Sequence, residues 1–434
     1  MIQNAGTQQN ITPKKVCLVV QRYGSEVVGG AEKLAKDMAE AMHQRLGWEV
    51  DVFTTTALDY ISWKPVFPDG VHEVNGIKVH RYSVLFSRIL KIFNVYHHAV
   101  CKLLQMRDRF PRYRKLFSLL LYLAEPLWYL LQGPTSPKMK SALKEFVATQ
   151  KVDFLFLVTY LYNPTLYGAA IKGVPKLLVS NFHDEPASRF FTTRRLLEKS
   201  DRILANTEKE RELIQQIVPQ CKTPIDVVGV GIDEINRSQI ADSEWEAAKN
   251  HGDYVLYLGR IDEQKGCVRL MDLFAEFSKS YSGKPLKLLL AGAKEPAIQI
   301  LNHPDIVYLG FITEQHKKAL ILNAKCIVNL SRYESFSFLV LEALMVEVPC
   351  IINSACAVLH EYTKHAPICT GLSNDRDFTV LLEQAILWGA LNNSDHAEIQ
   401  KKFVTSRDWV RKHYSWDSVM GRLVESCEHL RKLN

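Results

Sequence analysis

Short apolar runs recur along this chain, each followed by a stretch with helical spacing, and the alternation passes through two complete series. The first series reads VCLVV (16–20), VDVFTTT (50–56), DFLFLVTY (153–160), KLLVSNF (176–182) and RILANT (202–207). A second begins at YVLYLGR (254–260) and continues through LKLLLAG (286–292), IVYLGF (306–311), CIVNLS (326–331) and VPCIINS (348–354). Runs this short and this apolar are strands covered on both faces, which requires helices between them and parallel sheets beneath. The predicted fold is therefore α/β, with two doubly wound Rossmann-like domains facing each other across a cleft. Ligands of such sheets bind in the crevice at the carboxyl ends of the strands. A chain of 434 residues is long enough for two such cores. The join falls in VPQCKTPIDVVGVGID, where Pro, Thr and close-set Gly suit a hinge. The expected domains are 1–225 and 226–405, followed by a terminal helical segment, 406–434.

Charge and cysteine usage narrow the setting. The net charge of +7 favours a phosphorylated small molecule, a polyanion or an anionic membrane, without choosing among them. The nine cysteines form no CxxC pair, and several sit inside apolar runs such as KVCLVV, so they read as reduced core thiols of a cytoplasmic protein. The polar start, MIQNAGTQQNITPKK, has no apolar signal core, so export is not expected. No uninterrupted apolar run reaches the roughly 18 to 20 residues that span a bilayer.

One insertion, at about 82–143, departs from the alternation. Arg88, Lys91, Lys102, Arg107, Arg109, Arg112, Arg114 and Lys115 interleave there with Leu-rich and aromatic stretches, and Glu125-Pro126 interrupts the most apolar part. Two readings stand side by side. In one, the segment is an amphipathic surface lying on the inner face of the cell membrane. In the other, its helices cover an acceptor pocket and present a solvated basic face.

Four stretches could carry chemistry. The first strand enters QRYGSEVVGGAEKLAKDMAEAM, in which a helix begins near Gly30 and its free N–H groups would favour a phosphate; a paired Gly before a helix is, however, more often a turn requirement. In LYLGRIDEQKG, Arg260 and Lys265 stand in one loop after a strand, suited to a diphosphate or simply two solvated cations. In SRYESFSFLVLE, Glu334 lies in a loop and Glu342 in an apolar helix, with the N–H groups of Ser335, Phe336, Ser337 and Phe338 at its positive end. A buried carboxylate such as Glu342 needs donors, and ribose hydroxyls or backbone amides would serve. In VSNFHDEPASRF, His183 and Asp184 end a strand of the first domain. A lone His is more often structural than catalytic.

Taken together and in order, these residues resemble the retaining GT-B glycosyltransferases of family 4. The matching pieces are GGAE (29–32), FHD (182–184), LANTEKE (204–210), GVGID (229–233), LGRIDEQKG (258–266) and ESFSFLVLE (334–342), with YSWDSVMGRLVE similar to a last helix that returns to the first domain. The resemblance implies a nucleotide sugar as substrate and no cofactor. Arg260 and Lys265 would bind the diphosphate and stabilise the leaving nucleotide. Glu334, with the amides of Phe336, Ser337 and Phe338, would hold the donor sugar, and Glu342 the ribose. Gly30 would lie against the diphosphate, His183 near the reaction centre, and the base near Leu309 to Thr313, against Phe311 and Ile312. Ser335 and Ser337 stand where the family often has Gly, and AGAKEP (291–296) where it has a Gly-rich turn.

The implied chemistry is a front-face exchange in which a phosphate oxygen of the leaving group takes the acceptor's proton. No DxD motif stands where a nucleotide-bound metal would need it, so metal-independent transfer is expected. UDP-glucose is the first donor expected, and a glycan or lipid-linked glycan of envelope or extracellular polysaccharide assembly the acceptor. Competing readings are a GT-B epimerase, a phosphorylase, for which no pyridoxal-phosphate lysine context is evident, and a membrane-associated scaffold without activity. No nucleic-acid partner is expected.

Overall fold

The computed structural model describes residues 14–27, 29–391 and 396–431. The polar start discussed above lies, through residue 13, outside them. The chain divides into two compact units, Met1–Val230 with Val419–Asn434, and Gly231–Ser418.

The first unit holds an eight-stranded sheet of β1 (Lys15–Val19), β2 (Glu49–Thr55), β3 (Gly70–Val74), β4 (Ile77–Tyr82), β5 (Phe154–Val158), β6 (Lys176–Val179), β7 (Arg202–Ala205) and β8 (Ile225–Val227). Its order is β3-β4-β2-β1-β5-β6-β7-β8, and every pairing except β3 with β4 is parallel. The apolar runs become its centre: Val16 of β1 sits between Val50 and Phe154, and every residue of β5 is buried. The antiparallel β3–β4 hairpin is not announced by such a run, because it lies at the sheet edge, where every second residue of β4 is buried and none of β3 is. Its turn is Asn75-Gly76, with φ of 51° and 78°. Both angles are left-handed, as the two-residue turn that matches strand twist requires.

The second unit holds β9 (Asp253–Leu258), β10 (Leu286–Ala291), β11 (Ile306–Gly310), β12 (Cys326–Asn329), β13 (Cys350–Asn353) and β14 (Cys369–Leu372). All are parallel, in the order β11-β10-β9-β12-β13-β14.

The contact boundary between the second unit and the terminal segment falls at Ser418/Val419, not 405/406. The helix Ala397–Tyr414 stays with the second unit for identifiable reasons. Phe403 is buried, the Ser406 hydroxyl accepts a bond from the Ile368 amide at 3.3 Å, and the Tyr414 ring lies 5.4 Å from that of Phe336. In the first unit, the Arg422 guanidinium donates to the Val228 carbonyl at 2.8 and 3.0 Å, and Leu423 and Val424 are buried.

Between β4 and β5, the helix Pro137–Thr149 packs against β2 and β4 as an ordinary crossover. The extra element is the helical hairpin before it, Leu90–Arg109 and Arg114–Gln132, joined by a short turn at Pro111–Tyr113. Tyr96 donates to the Ala124 carbonyl at 3.0 Å, and the Trp128 indole to His97 at 3.1 Å, tying the two helices together. Glu125-Pro126 does not interrupt the second helix, which runs through Pro126. Glu125 is buried and accepts bonds from the Phe191 and Thr192 amides and the Thr192 hydroxyl, each at 2.8 Å, so it caps the helix Phe191–Lys199 at its positive end.

Candidate functional site

In the second sheet the chain runs outward from β9 through β10 to β11, then returns to β12 on the opposite side of β9. Successive helices therefore fall on opposite faces there, and the loops after β9 and β12 diverge around a crevice at the strands' carboxyl ends. Those two loops carry Arg260, Lys265 and Glu334. Lys265 Nζ lies 2.8 Å from Glu334 Oε1, with both side chains partly buried.

Close backbone approach sets this geometry. Gly266, at φ 75°, starts the helix Cys267–Ser280, and a Cβ there would fall 2.4 Å from the Leu330 carbonyl oxygen. The Arg332 amide donates to the Gln264 carbonyl at 2.9 Å, closing the two loops on each other. Asp262 stiffens the cationic loop: its Oδ1 accepts from the Lys265 amide at 2.7 Å, and its Oδ2 lies 3.2 Å from the Arg260 guanidinium, which remains well exposed. Gly292 fills the crossing of the next loop, where a Cβ would meet the Gly259 carbonyl oxygen at 1.9 Å.

Asn329, the last residue of β12, is a site residue the sequence reading missed. Its amide donates to Ser337 Oγ at 3.0 Å and reaches within 3.5 Å of Glu334 Oε1, while its own oxygen accepts from the Ser331 amide at 3.0 Å. A buried Asn ending an apolar strand is the signal that marks it. Ser337 immediately precedes the helix Phe338–Met345 with φ 146° and ψ 86°, a conformation that suits Gly, and its side chain makes no capping bond to that helix. The Phe336 ring is buried, 5.2 Å from Phe338 and 5.4 Å from Tyr414, so only its backbone is available to a ligand.

Glu342 is buried one turn into that helix, and its partner is Lys317, at 3.1 Å. Burial opposes the Lys317 charge, but the carboxylates of Glu342 and Glu314 outweigh it and hold the ammonium above its ordinary range. Glu342 thus does not depend on a ligand hydroxyl for satisfaction, as its isolated charge had suggested. Lys317 escaped notice because Glu314, three residues before it, reads as its surface partner. Phe311 is 72% exposed and Ile312 half-buried, beside Thr313, which caps the helix Glu314–Asn323.

The first unit has its own switch point, between β1 and β5. Gly30 opens the helix Gly30–Leu46 with open space where a Cβ would stand; the crowded residue is Gly29, whose Cβ would lie 2.1 Å from Glu32 Oε2. Glu32 is buried and takes bonds from Arg22 at 2.6 and 3.0 Å and from Gln21 at 2.7 Å. Arg22 also donates to the Leu58 carbonyl at 2.8 Å, so this pair ties three segments together. His183 follows β6 and is half-buried, while the neighbouring Asp184 turns outward to Arg189 at 2.5 Å. Beneath this loop, buried Glu210 accepts from Ser180 Oγ at 2.7 Å and from the amides of Phe182 and Asn206 at 2.5 and 2.6 Å. Burial nevertheless pushes its carboxyl up to about 7. The T-x-x-E spacing at Thr207–Glu210 is the sequence signal for it.

Among the described residues no group of three or more His, Cys, Asp or Glu side chains converges to hold a metal ion. The site's chemistry is two cations, a carboxylate and a helix start gathered at one crevice, a combination suited to an anionic group joined to a polyhydroxylated one.

Comparison with known proteins agrees with this chemistry. Residues 239–386 match the family model described as "Glycosyl transferases group 1". A D-inositol 3-phosphate glycosyltransferase of Rhodococcus erythropolis is 29% identical over 201 residues, 42% of this chain and 44% of that protein. The matches to this and another curated relative span less than half the length of each. Among solved structures, sucrose-phosphate synthase from Thermosynechococcus elongatus superposes with a TM-score of 0.65 at 14% identity, over 97% of this chain and 100% of that one. Anabaena Alr3699/HepE in complex with UDP and glucose gives 0.63 at 14% identity, over 96% and 100%. At these identities the structures establish the fold: two parallel-sheet domains of the GT-B type.

Proposed function

We propose that this chain, which carries a Glycosyl transferases group 1 domain on a GT-B frame, is a retaining family 4 hexosyltransferase acting without a metal ion. It moves a hexose, first of all glucose from UDP-glucose, onto a glycan or lipid-linked glycan in envelope or extracellular polysaccharide assembly. The observation that carries this reading is the Lys265–Glu334 pair at the β9/β12 switch point, with Arg260 on the same loop. The presence of UDP and glucose in the HepE complex supports the choice of donor. Nine free cysteines, seven of them buried, suit a cytoplasmic setting.

In this reading the exposed Arg260 guanidinium grips the diphosphate, and Lys265 supplies a second positive charge that stabilises the departing nucleotide. Glu334, already oriented by Lys265 and Asn329, accepts bonds from hydroxyls of the donor sugar. The N–H groups at the start of the helix Phe338–Met345 add positive potential. Glu342, positioned by Lys317, is within its helix the carboxylate for the ribose. Phe311 and Ile312 lie beside the base. A leaving-group phosphate oxygen takes the proton of the attacking acceptor hydroxyl, so the same face of the sugar is used and configuration is retained.

The test is turnover of UDP-glucose, GDP-glucose and ADP-glucose with and without EDTA. UDP-glucose consumption that survives EDTA and is abolished in Arg260→Ala and Glu334→Ala supports the assignment. Unchanged turnover of every donor in both variants overturns it. Loss of activity with EDTA, restored by a divalent ion, overturns the metal-free mechanism.

A further inference from the structure

The helical hairpin of the first unit has an outer face unlike that of an ordinary solvated helix. Along Arg114–Gln132, the inward face is made by Leu121, Glu125, Trp128, Tyr129 and Gln132, all buried. The opposite face carries Leu116, Leu119, Leu120, Leu123, Leu127 and Leu130, each between 39% and 65% exposed. Apart from the adjacent Leu119 and Leu120, they follow one another at three or four residues, which puts all six on one stripe directed away from the core. The companion helix adds Ile92, Val95 and Met106, exposed at 52%, 74% and 42%. A continuous apolar stripe of this extent needs a partner.

Charge indicates what that partner is. Residues 90–132 contain seven Lys and Arg but only two acids, Asp108 and Glu125, and Glu125 is turned inward to cap another helix. The bases concentrate at the turn, where Arg109, Arg112, Arg114 and Lys115 are exposed beside the exposed rings of Phe110 and Tyr113. Arg88, the first base of this segment, is excluded from the set: it is committed to the carbonyls of Tyr60, Ile61 and Gln132. Leucines on one helical face, aromatic rings at its end and bases around them match the depth profile of a bilayer interface, from acyl chains to headgroup phosphates. Among the described residues no single helix is long and apolar enough to cross a membrane.

We infer that the hairpin Leu90–Gln132 lies in the plane of an anionic bilayer, its leucine stripe entering the acyl boundary and the basic turn meeting the headgroups. The inference does not rest on the transferase reading, since its observations lie wholly in the hairpin.

Flotation of the full chain with vesicles of phosphatidylcholine, alone or mixed with phosphatidylglycerol, tests it. The expected result is partition onto the phosphatidylglycerol vesicles, weakened by salt. Partition falls by at least roughly tenfold in the triple variant Leu119→Gln, Leu123→Gln, Leu127→Gln, whose exposed positions leave the thermal midpoint unchanged. Arg112→Glu, Arg114→Glu, Lys115→Glu, made together, independently reduces it through headgroup repulsion. Absence of binding overturns the inference, as does binding indifferent to lipid charge. A dimer broken by the leucine substitutions, with no vesicle binding, also overturns it and assigns the stripe to a second copy of the chain. Turnover of UDP-glucose with a soluble acceptor, measured on the same variants, keeps failure here distinct from failure of the transferase assignment.

Discussion

Lys265 and Glu334 are 69 positions apart in sequence and 2.8 Å apart in space, joined only because β9 and β12 are neighbours across the reversal of strand order. Each orients the other before any ligand arrives. Lys265→Ala should therefore damage turnover twice, by removing a cation and by releasing Glu334. A loss in kcat of about 10²-fold or more is expected, the scale seen when one charge-stabilising donor is removed. Glu334→Gln keeps shape and hydrogen bonding and should lose less than Glu334→Ala. Steady-state kinetics with UDP-glucose, alongside circular dichroism to confirm folding, checks both.

Ser337 occupies a backbone conformation with φ 146° and holds a hydrogen bond from Asn329. Ser337→Gly relieves the strain but deletes the bond, so two effects of about 1 kcal/mol oppose each other and the net change in stability should be small. Ser337→Val keeps the strain, adds a β-branch and removes the acceptor; a loss of about 2 kcal/mol or more is expected. Urea denaturation of the two variants decides the matter.

Half-buried Lys317 pairs with buried Glu342, and the exposed Glu314 supplies a second carboxylate. Lys317→Ala removes the ammonium that faces the buried Glu342 carboxylate and should cost about 3 kcal/mol. Removing both partners in Lys317→Met, Glu342→Leu should cost much less than the sum of the single losses. A double-mutant cycle by thermal or urea unfolding measures the coupling; additive losses would disprove it.

Glu210 has a folded-state pKa of about 7 against an ordinary 4.5, raised by burial. The folded protein therefore holds a proton more tightly than the unfolded chain between those values. Its contribution is fully present below about pH 4.5 and declines as pH climbs to about 7. The stability gap between the native chain and Glu210→Ala should accordingly narrow over that interval and level off above it. Unfolding measured at a series of pH values would refute this if the gap widened instead.

The central strands were legible because burial on both faces writes a continuous apolar run, as FLFLV in β5 shows. The edge hairpin was not, although Asn75-Gly76 between alternating strands signals it. The site was legible as residue types rather than as partnerships. Arg260, Lys265 and Glu334 stand out in their loops, yet nothing local tells that Lys265 meets Glu334 or that Glu342 meets Lys317. Such pairs are products of topology and exist only once the sheet is assembled. Glu125 shows the converse: an acid beside Pro suggested a break, whereas its role is set by a helix start about 66 residues away.

The two switch points answer the same topological opportunity differently. In the first unit the Arg22–Glu32 pair is buried, with Gly29 pressed against it and the Leu58 carbonyl accepting a further bond from the guanidinium. In the second, the charges of Arg260, Lys265 and Glu334 stay partly open to solvent. One crevice is thus stiffened by a closed internal pair, and the other holds its charges where a ligand can meet them. Attempts to alter donor choice should accordingly target the loops after β9 and β12, since substitutions around Arg22 would loosen the frame without gaining a new specificity.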